Sequence, residues 1–308
     1  MADAASIAVR FALYVDLMLL FGIPAFALSV TGRQGGDRSL ALRPIVTACA
    51  MVGLVLSAAG IALLAASMSG VAVSAVELSS VRLLVAETAS GTAWLVRVAA
   101  LVTALVIVLA ARDGRGTRVA LTLIGGVALA TLAWLGHGVM NDGRTGIAHL
   151  VADIGHLVAA GIWVGALACL TMMILRPVDD MDARRRDDLH RALAGFGLVG
   201  AVAVGIIVVT GLVNSWLLVG YENVGSLGKT LYGQLLLAKL ALFGGMLGLA
   251  ALNRFRLAPA LGRAAAQGDT VAAVRALRLS LVFEAASAAA ILALVAWLGT
   301  LAPPMSTM

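Results

Sequence analysis

Three of the chain's four histidines, His137, His149 and His156, lie in one stretch running from Trp134 to Leu170, with Met140 and Asp153 among them. Neutral imidazole offers a lone pair near neutral pH, a thioether is a soft donor, and a carboxylate favours harder ions. Together these groups suit the capture of a cation. If His149 to Cys169 is helical, His149, Asp153 and His156 fall at i, i+4 and i+7, which is one face. The two histidines are then about 10 Å apart along the axis, too far for one mononuclear centre on a regular helix. They read as two steps of a path or as members of different ligand sets. The plain alternative is a pair of helix–helix hydrogen bonds that tie a bundle together. His137 and Met140, spaced i, i+3, would form an outer mouth, folded back beside His149 by the polar turn from Asn141. The metal-binding form is the neutral one, so occupancy should fall as pH drops through the histidine range.

The elements that must position these groups are written in the composition. The chain of 308 residues is 61% hydrophobic and 12% charged, with a mean hydropathy of +1.02. Repeated apolar runs of about 20 residues mark a polytopic membrane protein, all-α, with the lipid bilayer as its solvent. Eight segments are expected, at 8–30, 44–67, 92–111, 118–140, 146–175, 192–219, 231–252 and 277–301, forming a single domain over 1–308. The first run is long enough to span, and Asp3 spoils the basic region of a secretory signal, so it reads as the first helix. Cys49 and Cys169 both lie in apolar runs, which argues against a disulfide framework.

The connections alternate in charge. Alternate loops hold 16 of the 22 basic residues: Arg33, Arg38 and Arg43; Arg112, Arg115 and Arg118; Arg176, Arg184, Arg185, Arg186 and Arg191; and Arg254, Arg256, Arg263, Arg275 and Arg278. The positive-inside rule then puts those loops in the cytoplasm and both termini outside, in the periplasm. The net charge of +6 is thereby explained as topology, not as a nucleic-acid surface.

On that orientation Asp16, Arg97, His137, His149, Asp153, His156 and Lys239 all fall in the outer half. Ionisable groups at membrane depth are costly and are read as functional, so a shared, outward-facing cavity is expected. Asp153 could neutralise a bound cation, orient a histidine, or pair with Arg97 or Lys239, and Asp16 could take the other base. Glu284 is the deep charge of the inner half and is expected to pair with Arg254. Cys49, Cys169 and Met172 are soft donors that would favour Cu(I) at an exit. They read first as small or flexible apolar side chains. His190 sits in a solvated basic loop. The sequence carries no P-loop, dinucleotide fingerprint, HExxH or GxSxG, so no enzyme activity is read from it.

The chain resembles the copper-resistance D family (CopD) of bacterial inner-membrane proteins. The likeness rests on the His137 turn followed by HLVADIGHLVAAGIWVGAL, on TGLVNSWL running to TLYGQLLLAKLALF, and on ALNRFRLAP, Glu284 and the closing LAPP. The resemblance implies copper handling, described as inward movement across the inner membrane, with His137, His149 and His156 as candidate copper ligands. It also implies a separate periplasmic copper-binding donor of the CopC type. Transmembrane histidines also ligate haem, so a haem-binding or electron-transfer protein is the rival reading. A membrane anchor or sensor with structural histidines is the third.

Overall fold

The computed structural model describes residues 4–30, 42–135, 143–175, 183–267 and 271–304. Its helices are α1 (Ala4–Val30), α2 (Leu42–Ser69), α3 (Leu78–Glu87), α4 (Ala89–Ala110), α5 (Arg115–Ala130), α6 (Gly143–Ile174), α7 (Ala183–Val219), α8 (Leu231–Leu252), α9 (Ala258–Gln267) and α10 (Val271–Leu298). No strand occurs among the described residues. Eight helical stretches are long and apolar enough to cross a membrane, close to the eight expected segments. The short helices α3 and α9 lie in connections.

In the fourth span α-helix gives way to a 3-10 turn at Thr131–Leu135, where the apolar run had suggested unbroken helix; the expected end, 136–140, falls outside the described residues. Thr131 pins this turn: its hydroxyl donates to the Ala128 carbonyl at 2.6 Å and accepts from Arg97 Nε at 3.0 Å. His137 and Met140 lie just beyond, outside the described residues.

α1 is the central post. Leu13, Leu17, Leu20 and Phe21 join an apolar cluster with α2, α4 and α5, whereas Ile23, Phe26 and Ala27 join a second with α6, α7 and α10. Gly22 of α1 meets Gly161 and Gly165 of α6 backbone to backbone, and a Cβ on Gly22 or Gly165 would strike the other helix's main chain. Such approach gains dispersion contact that side chains would prevent, the usual basis of helix association in lipid. Outward side chains such as Val55, Leu109, Leu123, Val151, Leu198 and Leu212 are exposed. A helical bundle satisfies its backbone internally, so this apolar surface suits the hydrocarbon.

α1 begins and α10 ends at the same end of the bundle, where Arg10 Nη1 donates to the Gly299 carbonyl at 2.6 Å. At the other end, arginines cover helix C-termini. Arg43 donates to the Ala111 carbonyl after α4, and Arg278 Nε donates to the Ile174 carbonyl of α6 at 3.1 Å. Cationic side chains there meet both the orphan carbonyls and the negative end of the helix dipole.

Candidate functional site

α6 presents the expected face. His149 is fully buried, and one and two turns further on lie Asp153 and His156, both part-buried. Across from them α7 supplies two polar side chains, Thr210 and Asn214, themselves one turn apart. Asn214 Nδ2 donates to Asp153 Oδ1 at 2.6 Å. His156 Nδ1 lies 3.0 Å from Thr210 Oγ1, and the Thr210 hydroxyl donates to the Ile206 carbonyl at 2.6 Å. With that proton committed, Thr210 is placed to accept from His156. That tautomer carries the imidazole proton on Nδ1 and leaves the lone pair on Nε2. A histidine oriented through one nitrogen so that the other can ligate is the usual arrangement of a metal-binding imidazole.

α8 closes the group. Lys239 is near enough to act electrostatically on both Asp153 and His156, and Tyr232 on Asp153. Lys239 and Asp153 are not within ion-pair distance, and neither Asp16 nor Arg97 forms an ion pair among the described residues. Asp153 instead takes an amide partner. The Asn214 Oδ1 is buried without a hydrogen-bond partner, which leaves a neutral oxygen acceptor beside the carboxylate. Chemically the seam offers imidazole nitrogen, carboxylate and amide oxygen next to the Lys239 amine. That set can hold a cation in transit while Asp153 offsets Lys239. Among the described residues no three His, Cys, Asp or Glu side chains converge as a closed metal centre.

The remaining expected residues are dispersed, and the single shared cavity is divided. Asp16 is buried on α1 against Cys49 and Gly53 of α2, with Oδ2 lacking a hydrogen-bond partner. Arg97 lines a separate cavity on the far side of α1. Tyr14 lies between the two regions, within electrostatic reach of Asp153 on one hand and Arg10 and Arg97 on the other. Cys49 and Cys169 sit in different apolar clusters, and Met172 is exposed, so these soft donors are not brought together.

Glu284 does not take Arg254. It accepts from Asn253 Nδ2, and both residues are buried. A π turn begins here, at Asn253–Leu257. Neighbouring residues on a helix point in different directions, and here Asn253 faces inward while Arg254 Nη1 reaches out to the Gly197 carbonyl at 2.8 Å. Both Asn253 and Glu284 line a cavity of about 840 Å³ between α6, α7, α8 and α10, floored by Trp163, Leu167 and Phe196. Sequence reasoning missed Thr210, Asn214 and Asn253. Thr210 and Asn214 are uncharged polar residues in an apolar run, with their i, i+4 spacing as the available signal, and Asn253 is masked by the charged Arg254 and Arg256 that follow it.

Residues 1–147 match the family described as Copper resistance protein D-like, N-terminal domain, and residues 190–298 match Copper resistance protein D. The chain is 46% identical over 308 residues, 99% of both chains, to Copper resistance protein D of Pseudomonas syringae pv. tomato. It is 29% identical over 258 residues to Inner membrane protein YebZ of Escherichia coli (strain K12), covering 82% of this chain and 84% of the relative. Copper transport protein CutJ of Bacillus subtilis (strain 168) is 32% identical over 173 residues, 54% of this chain but 30% of that longer protein. No solved structure matches. A full-length match of this identity, on an all-helical chain with eight candidate spans, makes the protein a member of the copper resistance protein D family.

Proposed function

We propose that this protein takes copper at the periplasmic face of the bacterial inner membrane and passes it inward, with His149 and His156 as successive ligands. The observation that carries the reading is His156. Its Nδ1 is held by Thr210, so that Nε2 is the ligating nitrogen, beside a carboxylate fixed by Asn214. Imidazole is a good ligand for copper, and the family supplies the identity of the ion. His149, nearer the start of α6, receives copper first, together with His137 and Met140 at the mouth. His156 holds it next, and Asp153 supplies compensating charge. A separate donor of the CopC type, the partner that the family resemblance implies, would deliver the ion at the mouth.

The orientation rests on the arginine distribution. Single cysteines introduced within 70–80 or 222–228 should react with an impermeant reagent from outside, and those within 34–41 or 180–188 should not. The opposite labelling pattern would reverse the proposed direction. The central experiment is copper stoichiometry and uptake in His149→Ala and His156→Ala. The first should slow loading yet leave a deep bound ion. The second should keep binding near the mouth and abolish uptake. If each change alone removes all bound copper, one shared centre replaces the two-step path. If neither changes uptake, the histidines serve the bundle only.

A further inference from the structure

The cavity beside Arg97 has a chemistry opposite to that of the histidine face. It measures about 700 Å³ and lies between α1, α2 and α4, at the end of the bundle where α1 begins and α10 ends. Two guanidinium groups line it, Arg10 and Arg97, and among the described residues no Asp or Glu does. Arg97 is 2% exposed. Its Nε is satisfied by Thr131, but its Nη2 has no hydrogen-bond partner. Arg10 spends Nη1 on the Gly299 carbonyl. Ser57, whose hydroxyl is fully buried, also lines the cavity and has no partner for that hydroxyl. Its carbonyl is already taken by Trp94 Nε1 at 2.9 Å.

Among the described residues, which do not include Asp3 or Asp142, the acids nearest in sequence do not answer these charges. Asp16 is turned to Cys49 and Gly53. Glu77 and Glu87, at the two ends of α3, are exposed and do not line the cavity. The ionisable group that does face both arginines is the phenol of Tyr14, which is uncharged at neutral pH. Two guanidinium charges, one fully buried with a donor unspent, therefore stand within the membrane span without a counter-charge among the described residues. A buried charge without its partner is costly, and a buried donor without an acceptor adds to that cost.

We propose that this cavity is a binding site for a small oxyanion, a phosphate or carboxylate group. Arg97 and Arg10 supply charge-assisted hydrogen bonds and Ser57 a neutral one. The planar fork of arginine matches two oxygens of such an anion. The volume lies within the range of small-ligand sites, roughly 300–1,000 Å³. The group could arrive free from solution or as the headgroup of an anionic phospholipid, and both carry the chemistry the arginines recognise.

The test uses the full chain in nanodiscs of phosphatidylcholine, titrated with inorganic phosphate and, separately, with acetate. Thermal stability and calorimetry are read together. One of the two anions should bind saturably and raise the melting temperature. Affinity should fall at least tenfold in Arg97→Met, and also in Arg97→Lys, which keeps the charge but loses the fork. Ser57→Ala should weaken binding less, and Arg256→Gln, an exposed cation at the other end, should not alter it. In parallel, discs doped with phosphatidylglycerol are examined by native mass spectrometry. Retention of that lipid by the native chain but not by Arg97→Lys identifies a headgroup as the source. If Arg97→Met does not fold, Arg97→Lys and Arg10→Gln decide the matter. The proposal is overturned if neither anion nor the lipid binds, or if the arginine variants bind as the native chain does.

Discussion

α1 separates two polar regions of opposite character. Toward α6, α7 and α8 lie imidazoles, a carboxylate and an amide oxygen, a set that attracts cations. Toward α2 and α4 lie two guanidiniums, and among the described residues no acid lines their cavity. Both regions are embedded in apolar surroundings, yet they solve the cost of burial differently. On the histidine face Asp153 lies within electrostatic reach of Lys239, Thr210 and Asn214 each hold one partner, and what is left unspent is an acceptor, Asn214 Oδ1. The arginine cavity leaves donors unspent. A spare acceptor beside a carboxylate suits a passing cation, whereas spare donors on buried guanidiniums draw an anion.

Three substitutions probe that contrast, in decreasing order of effect. Thr210→Val keeps the shape of the seam but removes the acceptor for His156 Nδ1. Loss of such an orienting partner costs ~10–100-fold in metal affinity, and copper titration of the purified protein should read a loss of that order. An unchanged affinity would mean that Thr210 does not set the tautomer. Next, Asp153→Asn and Lys239→Met, singly and together, should give non-additive stabilities, with a coupling on the order of 0.5–3 kcal/mol. Strict additivity in thermal unfolding would show that the two charges do not balance each other. The smallest effect has the less usual sign. In buffer and discs free of phosphate, carboxylate and anionic lipid, Arg97→Met should raise the melting temperature by a few degrees, because it deletes an uncompensated buried charge. A fall would mean that the bond to Thr131 outweighs the charge.

The legible parts of the molecule were those carried by long, repetitive signals. Eight apolar runs separated by arginine-rich and arginine-poor loops define the spans, and the spacing of His149, Asp153 and His156 defines one face of α6. What escaped is pairing between spans. Thr210 and Asn214 acquire meaning only when α7 packs on α6 in one rotational register, and the sequence of either helix alone does not fix that register. Arg10 stands 289 positions from its acceptor, Gly299, so no local pattern could connect them. Glu284 was assigned the wrong neighbour by one residue, because which of the adjacent Asn253 and Arg254 faces inward is set by how that segment packs on α10. Asp16, Arg97 and Lys239 were grouped by depth alone, and depth says nothing about which side of a helix a residue occupies.

The glycine crossing of α1 and α6 determines which parts of the bundle can move. Where Gly22 meets Gly161 and Gly165, main chain rests on main chain, and no rotamers are available to absorb sliding or tilting. The two helices therefore act as one stiff strut that carries the imidazoles. If the histidine face is to open first to one side of the membrane and then to the other, the displacement falls to α7, α8 and α10. The wide cavity behind Trp163 and Phe196 is the clearance they would use. Crosslinking α7 to α6 should then arrest copper uptake, while crosslinking α1 to α6 should leave the cycle running.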